Sequence, residues 1–536
     1  MKVHNKLIRK VCIIVLVVAA VLAVGAFSVS RVAESKLRSA LADVPGLKID
    51  FKRLHISPIA GNVVIRDVEI ALRDSTTANP DIEGRIGAIK LEGLRWRSLF
   101  HGEAHARRLL IQKPDARLVL TGQAQKEKKD TAAQSSEPSF LKVVSLSEVR
   151  LEKGKIGLSS LKDSLKASAE GIDFSLRDIA IQLADGQVQY NDSTYRMSVD
   201  SLDYTDAPGL SRIRVGHLAT ADAGPVEVQA MHMYNCVPQE QLALKMGKVA
   251  VMWYDVKLDS LYTSPLNIPR MAKSQRIEVD NVYLSSPEIV ILQDDRFPPA
   301  VPYPTIQESL NSLALPLQIN QINARIKAFT FIWETTHVNR GTFPLSNVRL
   351  AINSVSNAHN NVMDLGIKSG TKTNGYLDLS LKIRNDKEES IHGKMLISGL
   401  DATRLDSFLR PLFGATAKAT IEKIDCSFKG NKHQMTDDFC MIYSDLSLHA
   451  WDDTNAPYQF VAKGSGVVNF LANLVIPKSN PSHPGKDPKK VEVTFERDPQ
   501  QPYPAYIIQN LTMGMLRTVL PGGSVRKTNQ KTNQKK

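Results

Sequence analysis

LDLSLKIR (377–384) sets Leu377, Leu379, Leu381 and Ile383 against Asp378, Ser380, Lys382 and Arg384. Strict alternation of this kind belongs to a strand with one buried face. VIRDVEIAL (64–72) puts Val64, Val68, Ile70 and Leu72 on one face, with Asp67 and Glu69 turned away. The stretch 322–332 groups Ile322, Ala324, Ile326, Ala328 and Ile332 in the same way. Such strands recur along most of the chain, with Gly, Pro, Asn and Asp between them. A mainly β protein is expected, with few short helices.

Three segments read as helix. Thr305 to Leu315 carries Ile306, Leu310 and Leu313 on one stripe, and Asp401 can cap a helix through Leu405, Phe408, Leu409 and Leu412. Ile507 to Leu520 is ended by Pro521-Gly522-Gly523. Each is expected to lie as an apolar lid on the sheet.

The chain also repeats itself. LLIQKPDARLVL (109–120) matches VYLSSPEIVIL (282–292), with Pro114 and Pro287 in corresponding places. About forty residues after each comes a further strand, RLEKGKIGL (150–158) and ARIKAFTFI (324–332). SLRDIAIQL (175–183) then matches PLSNVRLAI (344–352), and VIRDVEIAL (64–72) carries the same phrase. Matches at nearly one offset imply a duplicated module of roughly 170 residues and an elongated, curved, repeat-built antiparallel β array with a groove-like apolar surface.

The N-terminus reads differently. Lys2, Lys6, Arg9 and Lys10 precede Val11 to Ser30, a run without a charge. Roughly 20 helical residues cross a ~30 Å hydrocarbon core. Ile13, Ile14, Leu16, Val17, Val18, Val21, Leu22 and Phe27 would form the membrane anchor, a transmembrane helix with its basic cap on the cytoplasmic side. Small residues Ala23, Gly25 and Ala26 leave a cleaved leader open. The apolar run is long for one and favours an uncleaved anchor, with the bulk of the chain exported.

Export reinterprets the +13 formal charge, five of whose positive groups (Arg526, Lys527, Lys531, Lys535, Lys536) stand in the tail. An exported chain rarely meets nucleic acid, and aromatics at 6% do not interleave with a basic cluster. No nucleic acid is expected; anionic headgroups or simple solubility account for the charge. Four cysteines (Cys12, Cys236, Cys426, Cys440) are too few for a disulfide framework. A Cys426–Cys440 bridge stays open if a hairpin joins them.

Catalytic signatures are scarce. His101 and His105 lie four apart, but Gly102 follows the first where a metalloprotease needs glutamate. Gly464-Ser465-Gly466 lacks the further glycine or lysine of a nucleotide loop. The acidic pairs Asp294-Asp295, Asp437-Asp438 and Asp452-Asp453 fall in turn-like contexts, where Asp bonds its own backbone. No catalytic residue, metal or cofactor is expected, and the chain is not read as an enzyme.

The residues resemble the AsmA-like family of bacterial envelope proteins. The likeness rests on VPGLKIDFKRLHISPIAGNVVIRDVEIAL (44–72) and IGAIKLEGLRWRSLFHGEAHARRLLIQKPDARLVL (86–120). It continues in GLDATRLDSFLRPLFGATAKATIEKIDCSFKG (399–430), YSDLSLHA (443–450), LANLVIPKSNP (471–481) and VTFERD (493–498). Its motifs are patterns of residue type. The resemblance implies a single-pass protein of the bacterial inner membrane with a periplasmic β groove, acting in phospholipid movement or outer-membrane maintenance. The largest members resemble bridges across the periplasm. At about 4.8 Å per strand, some 35–40 strands reach at most ~190 Å, so this chain is not expected to span the envelope alone.

The expected organisation is a cytoplasmic cap (1–10), an anchor (11–30), a first β module (31–240) with a disordered loop (123–139), a second, duplicated module (241–400), a closing AsmA-like domain (401–523) and a disordered basic tail (524–536). The expected partners are phospholipid and the inner membrane, with envelope proteins as further candidates. Ile322, Ile326, Leu377, Leu379, Leu381 and Ile383 are the candidate liners of a lipid groove, against the alternative that they face a closed core. A scaffold recruiting envelope partners through exposed sheet edges is the second expectation. A glycan-active enzyme is the third and least supported.

Overall fold

A computed structural model describes residues 47–519 apart from 58, 73–80, 100, 102, 121–142, 183–186, 190–194, 222, 246–251, 298–300, 336–339, 372–374 and 451–475. The expected cap, anchor (11–30), polar loop (123–139) and tail (524–536) lie outside the described residues, as do Gly464–Gly466 and Asp452-Asp453. Among the described residues no helix is long and apolar enough to cross a membrane.

The described residues form two compact units, one of those between 47 and 230 with 265–270, the other of 231–264 with those between 271 and 519. The second module and the closing segment of the sequence reading therefore share one unit. The elements are mainly strands: β1 (Leu47–Ser57), β2 (Asn62–Leu72), β3 (Asp81–Glu92), β4 (Glu103–Leu120), β5 (Val143–Ser160), β6 (Lys166–Gln182) and the shorter β7 (Gln187–Gln189), β8 (Tyr195–Val199), β9 (Ser201–Thr205), β10 (Ser211–Val215), β11 (His217–Ala221) and β12 (Val226–Asn235). Then come β13 (Trp253–Thr263), β14 (Ile277–Ser285), β15 (Glu288–Asp294), β16 (Leu317–Glu334), β17 (Arg340–Ser356), β18 (Val362–Thr371), β19 (Gly375–Arg384), β20 (Ile391–Asp401), β21 (Ala415–Gly430), β22 (Gln434–Ala450) and β23 (Lys490–Glu496). The helices are α1 (Trp96–Leu99), α2 (Gln239–Lys245), α3 (Ile268–Ser274), α4 (Ile306–Asn311), α5 (Asp406–Phe413) and α6 (Tyr503–Val519), with a 3-10 turn at Ala402–Leu405.

Both units contain the same motif. In the first, β1 to β4 run antiparallel, β4 then pairs parallel with β5, and β5 pairs antiparallel with β6. In the second, β14 and β15 both pair parallel with β16, and β16 pairs antiparallel with β17. The parallel registers are alike: Glu103 pairs with Val143 and Ile277 with Leu317, each forty residues on. The expected sheet is thus not purely antiparallel, because each motif holds one parallel crossover. From β16 to β23 the second unit continues antiparallel.

The recurring "RD" phrase has a backbone cause. Asp67, Asp178, Asn347 and Asp445 all take left-handed φ angles, at 53°, 52°, 53° and 55°. Lys113 and Ser286, just before Pro114 and Pro287, do so at 50° and 49°. Asp and Asn tolerate this region better than other non-glycine residues. At Asp67 the register does not shift, since Phe51 still pairs with Val68 and Arg53 with Arg66. The buried face nonetheless changes phase, from Val63 and Ile65 to Val68 and Ile70.

This phase change corrects two sequence readings. Val64 does not share the core face of Val68; Val63 and Ile65 do. In β16, Ala324 and Ile326 are buried, but beyond Lys327 the core residues are Phe331 and Trp333 rather than Ala328 and Ile332. A period-two count assumes an unbroken pleat. The left-handed Asp67 breaks it within β2, and in β16 the phase changes at Lys327, which the register sets opposite the left-handed Asn347 of β17.

The helices form close to where the sequence places them. Thr305 caps α4 by accepting the Glu308 N–H, while Glu308 bonds back to the Thr305 N–H. Asp401 caps the 3-10 turn at Thr403, α5 follows, and Gly414 ends it at φ 64°.

Candidate functional site

Leu377, Leu379, Leu381 and Ile383 lie on one face of β19, in rows with their neighbours. Leu379 stands between Ile367 and Met395, and Met395 pairs with Cys426. Leu381 stands between Leu365 and Gly393, where the Phe428 ring fills the space a side chain at 393 would take. The face is covered by helices. Tyr503, Tyr506 and Val519 of α6 are buried in the same cluster, and Ile507, Leu511 and Met515 pack against it, as do Ile306 and Leu310 of α4.

The predicted liners therefore divide. Leu379, Leu381 and Ile383 are 8%, 2% and 1% exposed and belong to the closed core cluster that α4 and α6 also join. Leu377 and Ile322 are half-buried at the margin of that cluster. Ile326 belongs to a separate small cluster with Ala324 and Val348.

Empty space lies beside this core. A cavity of about 80 Å³ opens between the 3-10 turn, α5, α6 and the strands β21 and β22. Leu405 and Leu409 wall one side, Ala417 and Leu446 the sheet side, and Met515 and Leu516 the α6 side. Almost no polar group reaches it, so it has the chemistry of a dry apolar cavity, about half the ~150 Å³ known to hold benzene. Its volume matches the end of an apolar chain and is too small for a whole lipid. Sequence reasoning named Leu405 and Leu409 as helix-stripe residues without seeing the cavity. Its walls come from three separate segments, 402–421, 441–448 and 512–519.

One buried charge-bearing group sits under α6. Asp437 is 1% exposed, and its Oδ1 accepts the Val493 N–H at 3.1 Å. Its Oδ2 faces the Asn510 Nδ2 at 3.3 Å and the Cys426 thiol at 3.6 Å. Burial pushes this carboxyl well above the usual range, to about 6. Burial, reinforced by the Asp437 charge, likewise raises the Cys426 thiol, so Cys426 stays protonated and has no nucleophile character. Asp437-Asp438 is not in a turn, as the sequence reading had it. It lies within β22, with Asp437 turned inward and Asp438 outward.

Other acidic groups and the two histidines singled out in the sequence are paired locally, whereas both amide atoms of the fully buried Gln307 have no hydrogen-bond partner. The Asp294 carboxylate takes two bonds from Arg296 at 2.9 and 2.6 Å, and Glu334 pairs with Arg296 and Arg340. His101 bonds the Arg97 carbonyl, and His105 bonds Glu103. Among the described residues no group of His, Cys, Asp and Glu gathers to hold a metal ion. Cys426 and Cys440 are free thiols on opposite sheet faces: Cys426 pairs with Phe439 and Cys440 with Asp425, an offset of one residue. The open question of their bridge is settled by register.

Compared with protein-family models and with curated proteins, the chain matches none.

Proposed function

We propose that this chain is a non-enzymatic, membrane-anchored envelope protein whose second unit receives phospholipid acyl chains at the apolar face of its sheet. The observation that carries this reading is the dry cavity at Leu405, Leu409, Ala417, Leu446 and Met515, continuous in chemistry with the core under α6. Burying a methylene there contributes about 0.8 kcal/mol. A chain tip of a few methylenes is thus held by about 2–3 kcal/mol, enough to bias a lipid without trapping it. The uncharged run at 11–30 and the resemblance of 44–72, 86–120 and 399–430 support the inner-membrane and periplasmic setting.

The test is lipid extraction and mass spectrometry on the full chain purified in detergent. Phospholipid near one per chain, reduced by Ala417→Phe filling the cavity, is expected. Phospholipid no higher than on an unrelated anchored protein overturns the reading and turns the search to crosslinked protein partners.

A further inference from the structure

α6 rests on a sheet face that carries one carboxyl group, Asp437, among side chains that are apolar or neutral on that face. Asp437 stands between Met435 and Phe439, both 1% exposed or less. α6 presents to it the amide of Asn510, itself 2% exposed, whose Oδ1 has no hydrogen-bond partner. From β23 it meets the Val493 N–H. From β21 it meets the Cys426 thiol. Along its own strand Asp438 opposes its ionisation, and Asp425 beside Cys426 adds negative charge. No cation is among these groups.

We propose that Asp437 is a proton-operated latch for α6. Protonated, the acid is a neutral polar group in a neutral seat, and the helix stays docked. Ionised, the buried charge has two weak side-chain donors, the Val493 N–H and its own backbone N–H to replace water, which leaves it short of full solvation and weakens the seat. Lifting α6 hydrates the carboxylate and so relieves the cost. The same movement opens the wall that Met515 and Leu516 give to the cavity. What that opening does for a lipid rests on the function proposed above, whereas the latch rests on Asp437 and α6 alone.

The raised carboxyl, about 6 when docked against an ordinary 3.8 when exposed, sets the size of the effect. Opening of α6 becomes about tenfold more favourable between pH 5 and pH 7.5. The experiment is hydrogen–deuterium exchange on the full chain in detergent at those two pH values, each rate divided by its intrinsic rate. Peptides covering 503–519 should open about tenfold more at pH 7.5, while strands β17 and β18 stay unchanged. Asp437→Asn should abolish the difference. Asp437→Leu, a second variant in case the first fails to fold, should also lack it. Equal α6 protection at both pH values in the native protein, or a pH dependence that survives either variant, overturns the latch. No lipid enters the readout, so its failure is separate from failure of the lipid reading.

Discussion

Gly514 of α6 lies against the ring of Phe439 on β22, so closely that a β carbon on Gly514 would come within 2.5 Å of the ring Cδ2. Phe439 is itself 1% exposed, packed in the core cluster. Gly514→Ala gains about 1 kcal/mol of helix propensity but meets this ring. Overpacking costs about 1–3 kcal/mol. A lowered denaturation midpoint for Gly514→Ala, restored by adding Phe439→Leu, is the expected result in chemical unfolding.

The liner residues should respond unequally to charge. Leu381 is core at 2% exposed, so Leu381→Asp buries an unpaired carboxylate and should cost at least about 4 kcal/mol. Leu377 is half-buried, and Leu377→Asp should cost about 1–2 kcal/mol. Circular dichroism melts of the two variants compare them directly. Equal losses would mean that both ends of the β19 row are closed alike.

Asp437→Asn should change how stability depends on pH. The native carboxyl, at about 6, holds its proton more tightly than the unfolded one at 3.8. Its contribution is full below about pH 4 and is lost as pH rises through 6. The variant should therefore be more stable at pH 7.5 by about 1–3 kcal/mol, with a flatter profile between pH 4 and 7. Denaturant titrations across that range read the slope.

Asn347 holds φ at 53° in the middle of β17. A β-branched side chain there is strained, so Asn347→Val should cost about 1–2 kcal/mol, while Asn347→Gly should be nearly neutral. Melting temperatures of the pair separate backbone strain from loss of the amide, because both variants remove it.

Thiol labelling tests the register of β21 and β22. Cys236 is exposed and Cys440 half-buried, whereas Cys426 is fully buried. A maleimide should modify Cys236 and Cys440 in the folded protein, and Cys426 only after denaturation. An oxidised Cys426–Cys440 peptide in a non-reducing digest would show that the register is wrong.

Much of the fold is legible before folding. Alternation such as that of 377–384 marks strands because side chains leave a pleat on alternate faces. The caps of α4 and the 3-10 turn are written in Thr305, Glu308 and Asp401, since each bond closes within a few residues. The forty-residue spacing of the repeated phrases reappears as the register of both parallel pairs. The phase of the pleat is harder to read, because Asp67 and Asn347 look like ordinary polar residues on an outward face.

What only the tertiary structure decides is which apolar residues are core and which border empty space. Leu381 and Leu405 are equally apolar in sequence, yet one is sealed in the core cluster and the other walls the cavity. The sequence alone determines local geometry and the sidedness of each strand, because those follow from neighbouring residues and the period of the backbone. The burial of Asp437 under Asn510 and the seat of Gly514 on Phe439 depend on segments tens of residues apart meeting at ångström distances, which no local pattern encodes.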